Sequence, residues 1–253
     1  MRHAVVEHPT GHYQFLPGIA PYSCGVVASP GFEIAHVTLH TPVPYARGFQ
    51  LIEQHLAAEG HDRTALCAIE LRSPRPFTFE GFASFNGEYA RILESWGVFV
   101  DGVNPVARTN VCPEVRPPSE PILYGFSYTR TFPATHRPSF IVAGAGELPE
   151  GVLAPQSIVR AGETNAAAIA AKAAFVLDLM ETRLHGLGGD WSMVTAVDVY
   201  TVHPIWHLLP DLLANRLGRA ATHGLRWFYS RPPIEGIEFE MDLRGVASEL
   251  RLE

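Results

Sequence analysis

An arginine at the start of an alternating segment is a ready grip for a small anion. Asn104-Pro-Val-Ala-Arg-Thr-Asn-Val-Cys-Pro113 holds one, Arg108, just after a helix-like run that ends near Trp96. A second, Arg226 in Gly224-Leu-Arg-Trp-Phe-Tyr-Ser-Arg231, stands in the same setting in the other half of the chain. A planar guanidinium can take a carboxylate through two parallel hydrogen bonds. The echo predicts two copies of one fold, each presenting an arginine to a small acid.

Other residue types that could do chemistry carry less. His203 and His207 have the i, i+4 spacing of a metal pair, but the glutamate of a HExxH site and a third ligand are missing, so a solvated or core-edge pair is expected. Ala143-Gly-Ala-Gly-Glu-Leu148 lacks the third glycine of a dinucleotide loop and opens no helix. Lys172, the single lysine, lies mid-way along an alanine-rich run with nothing to make it a Schiff-base former. Cys24, Cys67 and Cys112 form no CxxC or Cys/His cluster, which implies a reduced, cytoplasmic protein without structural zinc. Cys112 is expected to be a buried strand thiol.

With 47% apolar and 18% charged residues, the 253-residue chain can bury a full core as one large domain or two smaller ones. A net charge of −7 with no basic run argues against nucleic acid as the main partner. No signal peptide is evident, and no apolar run reaches the ~18–20 residues that a membrane span needs.

The elements that must position the arginines follow from periodicity. Residues 1–25 give no clear period and are expected to be an irregular lead-in. Val26–Ala28 and Phe32–Leu39 are expected as strands joined by the turn at Ser29-Pro-Gly31. Phe49, Ile52 and Leu56 predict a helix from Pro44 to Gly60. Ala65–Leu71 alternates as a strand. Thr78 is a candidate cap for a helix whose stripe is Phe82, Phe85, Tyr89, Leu93 and Trp96. Val106–Cys112 and Ile122–Tyr128 close the first set, and residues 129–138 suit a linker.

The order then repeats. Phe140–Ala143 and Ser157–Arg160 are expected as strands, and Glu163–Leu187 as a long helix with Ile169, Phe175, Val176, Leu179 and Met180 on its core face. Met193–Val202 is a strand, Pro204–Leu217 a helix, and Leu225–Tyr229 and Ile237–Leu243 are the last two strands. Each half is β-β-α-β-α-β-β, an α+β layer with a mixed sheet and two helices on one face. The domains are expected over 1–130 and 139–253.

Phe82-Ala-Ser-Phe-Asn-Gly-Glu-Tyr89, followed by Pro105-Val-Ala-Arg108 entering a strand, resembles the RidA family, also called YjgF, which includes 2-aminomuconate deaminases. In the second half, Phe140-Ile-Val-Ala-Gly-Ala-Gly146 is similar to that family's opening strand and Ile237-Glu-Phe-Glu-Met241 to its closing one. The first half keeps Asn86, Tyr89 and Arg108, but its closing strand, Ile122–Tyr128, lacks the family glutamate. The second keeps Glu238 and Glu240, with Arg226 in the arginine's place, and its Pro204-Ile-Trp-His-Leu-Leu-Pro210 segment has lost the Asn/Tyr pattern.

The resemblance implies two tandem RidA-like (chorismate mutase-like) units that divide the labour: one composite site, or one active and one structural copy. It implies cofactor-free hydrolysis of a carboxylated enamine or imine to a ketone and ammonia. Arg108 or Arg226 would hold the carboxylate with Asn86 and Tyr89 beside it, and Glu238 or Glu240 would handle the proton and the water. It also implies a homotrimer, with no nucleic-acid or membrane partner. Two alternatives stay open: enol-ether hydrolysis like that of the chorismatases, which are also similar to tandem RidA-like folds, and a non-catalytic trimer that binds small acids.

Overall fold

The computed structural model describes residues 5–132, 137–210 and 215–253. In chain order the elements are β1 (Val6–Glu7), β2 (Tyr13–Leu16), β3 (Gly25–Ala28), β4 (Phe32–Pro44), α1 (Tyr45–Ala58), β5 (Leu66–Arg72), α2 (Phe79–Ser95), β6 (Ala107–Pro113) and β7 (Ile122–Thr131). There follow β8 (Phe140–Gly146), α3 (Ala166–Gly186), β9 (Ala196–Tyr200), α4 (Asn215–Leu217), β10 (Arg226–Phe228), β11 (Ser230–Arg231), β12 (Glu240–Gly245) and β13 (Ser248–Leu252). The protein is α+β, and among the described residues its strands form two mixed sheets.

The helices form where the apolar stripes lie. Helix α1 buries Phe49, Ile52 and Leu56 and stops at Gly60, whose φ of 80° takes the left-handed turn that a side chain would resist. Thr78 caps α2 by accepting from Gly81 N, and the buried stripe of α2 includes Asn86 among Phe82, Phe85, Tyr89 and Leu93. Asn165 caps α3 through Ala168 N.

The sheets are not the two halves of the chain. One runs β1-β2-β3-β8-β12-β9-β10 and the other β11-β6-β5-β7-β4-β13. The turn at Ser29-Pro-Gly31 therefore joins strands of different sheets rather than a hairpin: β3 pairs with β2 and β8, whereas β4 pairs with β7 and β13. Exchange runs both ways, because β11 lies antiparallel to β6 and β13 parallel to β4. The chain stacks as helix, sheet, sheet, helix. One apolar cluster joins α3 to the first sheet, another joins α1 and α2 to the second, and a third, with Phe15, Val26, Ile34 and Ala107, lies between the sheets.

Several expected elements differ. Among the described residues of the lead-in, β1 and β2 form an antiparallel pair that extends the first sheet. Ser157–Arg160 is not a strand: residues Pro155–Ser157 make a 3-10 turn and the chain bends on. Strand β7 continues through Thr131, into the expected linker, because residues 129–131 pair with the start of β4. Residues 133–136 of that linker lie outside the described residues. The helix expected over Pro204–Leu217 crosses residues 211–214, also outside the description; beyond them stands the single turn α4, followed by 3-10 turns over Gly218–His223.

Candidate active site

Strand alternation sends Thr109 one way and Arg108 and Asn110 the other. Thr109 turns to the opposing sheet, where its hydroxyl donates to Asp242 Oδ2 (2.7 Å) and accepts from Gly144 N (3.1 Å). Arg108 and Asn110 line a cavity of about 80 Å³ whose walls also include Tyr22, Arg183 of α3 and Glu240 at the start of β12. Both sheets and two helices thus contribute, and residues from each half of the chain meet in one place.

Arg108 is buried, only 3% exposed. Its Nη2 donates to Asn86 Oδ1 at 2.7 Å, so the one polar residue in the apolar stripe of α2 exists to receive it. The guanidinium lies over the rings of Tyr22 (4.5 Å) and Tyr89 (4.7 Å). Among the described residues no carboxylate forms an ion pair with Arg108, and its Nη1 is buried with no hydrogen-bond partner, as is the Tyr89 hydroxyl. Burial lowers the arginine's pKa and raises that of Tyr89. A buried cation met only by one amide oxygen and ring faces is an incomplete arrangement, which an anion would complete.

Glu240 lines the same cavity as Arg108. It is buried, and its carboxyl forms no hydrogen bond among the described residues. Burial, with the charge of Asp242 next, holds its pKa well above the ordinary carboxylate range, against the pull of Arg108 and Arg183. Its Oε1 occupies the place where a side chain on residue 144 would begin, so a larger residue there would push the carboxyl aside. The acid form of Glu240 is favoured more than that of a free glutamate, in a cavity it shares with a guanidinium.

The other sequence candidates lie elsewhere. Glu238 precedes the first paired residue of β12 and so escapes the alternation that would have aligned it with Glu240; it accepts from His203 Nε2 at 2.8 Å, with Arg231 Nη1 at 3.9 Å. Arg226 is about half exposed and holds Asp198 through Nε (2.6 Å) and Nη2 (2.7 Å), outside the cavity. His203 is thereby a partner of Glu238, and no group of three or more His, Cys, Asp or Glu able to hold a metal is found among the described residues.

Four cavity residues gave no sequence signal that was used. Arg183 donates from Nε and Nη2 to Glu150 (3.1 and 2.8 Å) and from Nη1 to Ala143 O (2.9 Å). Cys24 Sγ donates to Glu150 Oε1 at 3.0 Å, and burial pushes its thiol up to about 12. Asn110 was legible in principle, because it shares the strand face of Arg108. Glu150 and Arg183 are separated by 33 residues, and only the fold pairs them.

Residues 5–250 match the family described as 2-aminomuconate deaminase CnbZ. The chain belongs to that family. It is 46% identical over 252 residues to the 2-amino-5-chloromuconate deaminase of Comamonas testosteroni, covering 98% of this chain and 99% of the relative. Among solved structures a chorismatase matches with a TM-score of 0.54 at 11% identity, over 88% of this chain and 77% of that one. The likeness to the chorismatase is one of fold. No helix among the described residues is long and apolar enough to cross a membrane.

Proposed function

We propose that this chain is a cofactor-independent deaminase that hydrolyses a small carboxylated enamine or imine of the aminomuconate type to the keto or enol acid and ammonia. The observation that carries it is the buried Arg108, without a carboxylate partner among the described residues, in one cavity with the buried Glu240, whose pKa burial raises. Family membership and the name of the 46% identical relative support the same chemistry.

Arg108 grips the substrate carboxylate next to the C–N bond and fixes the plane of the conjugated system. Glu240 gives its proton to the enamine carbon, the C=C electrons move, and the nitrogen becomes an iminium. The carboxylate left behind takes a proton from water as its oxygen bonds to the C=N carbon. That proton passes to nitrogen, the C–N bond breaks with its electrons on nitrogen, and ammonia leaves as the carbonyl forms. Glu240 is regenerated when the oxygen gives up its second proton. Enol-ether hydrolysis of the chorismatase kind would use the same two groups, but the likeness to that enzyme rests on fold alone and ranks behind deamination.

The finer reading is a tandem RidA-like molecule with a composite site, assembling as a trimer. Light scattering on the purified chain tests the trimer, with a monomer mass as the contrary result. For the reaction, ammonia release from 2-aminomuconate and pyruvate release from chorismate are measured in parallel. Ammonia is expected from the first only. Glu240→Gln should lower kcat by about 10²–10⁴-fold, and Arg108→Ala should raise KM at least as strongly as it lowers kcat. Full activity in Glu240→Gln, or pyruvate from chorismate, would overturn the proposal.

A further inference from the structure

Resting on the deaminase reading, we infer that Asn110 is a substrate-binding residue whose side-chain amide receives the second carboxylate of a dicarboxylate. Asn110 is 3% exposed and lines the same cavity as Arg108 and Glu240. Its Oδ1 accepts from the hydroxyl of Ser73 at 3.0 Å, and its Nδ2 is buried with no partner. Ser73 is itself fully buried and anchored by its own N–H to Val111 O (2.9 Å), so the amide end left open is the donor. A buried donor without an acceptor costs about 1–3 kcal/mol, and such groups in native proteins call for a reason.

The reason lies in its place on the strand. Residues 108 and 110 share one face of β6, and same-face neighbours on a strand stand about 6.6 Å apart. Each carries one buried nitrogen without a partner, Nη1 and Nδ2. A muconate-type chain, with a carboxylate at each end, spans a comparable length. The cavity's other guanidinium is spent, because every nitrogen of Arg183 already donates to Glu150 or to Ala143 O. Asn110 remains as the donor for the far carboxylate, and its neutrality suits a second grip that must release product.

Binding rather than turnover tests this. The full chain is titrated calorimetrically with trans,trans-muconate, an unreactive dicarboxylate, and with sorbate, the same diene carrying one carboxylate. Wild type is expected to prefer muconate. Asn110→Ala should weaken muconate by about 10-fold or more, the worth of a hydrogen bond to a charged group, and leave sorbate unchanged. Asn110→Asp should weaken muconate further by setting like charges together. Ser73→Ala, which keeps Asn110 but frees its amide to turn, should weaken muconate relative to wild type and spare sorbate; it decides the matter if the Asn110 variants fail to fold. Equal losses on both ligands, unchanged muconate affinity, or no preference in wild type would overturn the assignment. Muconate bound as expected by a wild-type chain that releases no ammonia from 2-aminomuconate would instead sink the reaction and leave the subsite standing.

Discussion

Asp242 shows how far the environment of the site departs from that of the free side chain. Its Oδ2 accepts from Thr109 (2.7 Å) and from the Tyr200 hydroxyl (2.9 Å). Burial first, then the charges of Asp198 and Glu70, push its pKa from 3.8 to about 8. Between those values the folded chain keeps a proton that the unfolded chain has released. Unfolding then sheds a proton, so the contribution of Asp242 to stability is full at the acid end and is lost as pH rises toward 8. Asp242→Asn keeps the acceptor oxygen and removes the titration. Urea midpoints between pH 5 and 8 should therefore fall less steeply with pH in Asp242→Asn than in wild type; parallel profiles would refute this. At the same scale, Asn86, Tyr89 and Arg108 were legible because one helix stripe and one strand bring them together. Glu238 and Arg226 were not separable from the cavity-lining residues by sequence, because their partners, His203 and Asp198, come from segments that only folding makes adjacent. Glu238 lies just before the ladder, which begins at Glu240, so alternation does not put the two side chains on one face.

Elements are placed by buried charge as well as by apolar stripes. Helix α3 was expected to bury Phe175 and Leu179, yet both are only half-buried, while Lys172 and Arg183 are inside. Its face is turned because the segment after β8 brings a glutamate to each cation. Lys172 Nζ donates to Glu147 Oε1 at 2.8 Å, with both side chains 0% exposed, and to Val159 O at 2.9 Å. Glu147 in turn accepts from Glu238 N (2.8 Å) and Phe239 N (3.0 Å), the two residues that lead into Glu240. An alanine-rich helix with one lysine gave no hint of this, because hydropathy scores a buried ion pair as surface. Lys172→Met would leave Glu147 buried without its cation, which costs about 3–5 kcal/mol. Chemical denaturation should show a loss of that size, and adding Glu147→Gln should recover part of it. A loss under about 1 kcal/mol would instead put the pair with ordinary surface salt bridges.

At the scale of the whole molecule, the mixture of strands and helices was visible in the sequence, and the exchange of strands between the two sheets was not. Periodicity reports which faces are buried but not which neighbour buries them, so the turn between Val26–Ala28 and Phe32–Leu39 was legible while their membership of different sheets was not. The site depends on that exchange. Ser23 N–H bonds to Val106 O (3.0 Å), and Asn104 Nδ2 to Pro21 O (2.7 Å), so the segment carrying Tyr22 is tied to the approach to Arg108 while β3 is zipped to β8. A chain built this way should unfold as one unit. Trp96 lies in the first half, and Trp191, Trp206 and Trp227 in the second. In urea, the fluorescence of a variant keeping only Trp96 and that of the converse Trp96→Phe variant should share one midpoint with far-UV circular dichroism. Residues 139–253 expressed alone lose β1–β3 and expose the edge of β8; residues 1–130 alone lose β11 and β13 and expose the edges of β6 and β4. Neither piece should show a cooperative transition. Two separated midpoints in the intact chain, or a stably folded half, would mean that each half holds its own fold and that the strands crossing between them add little.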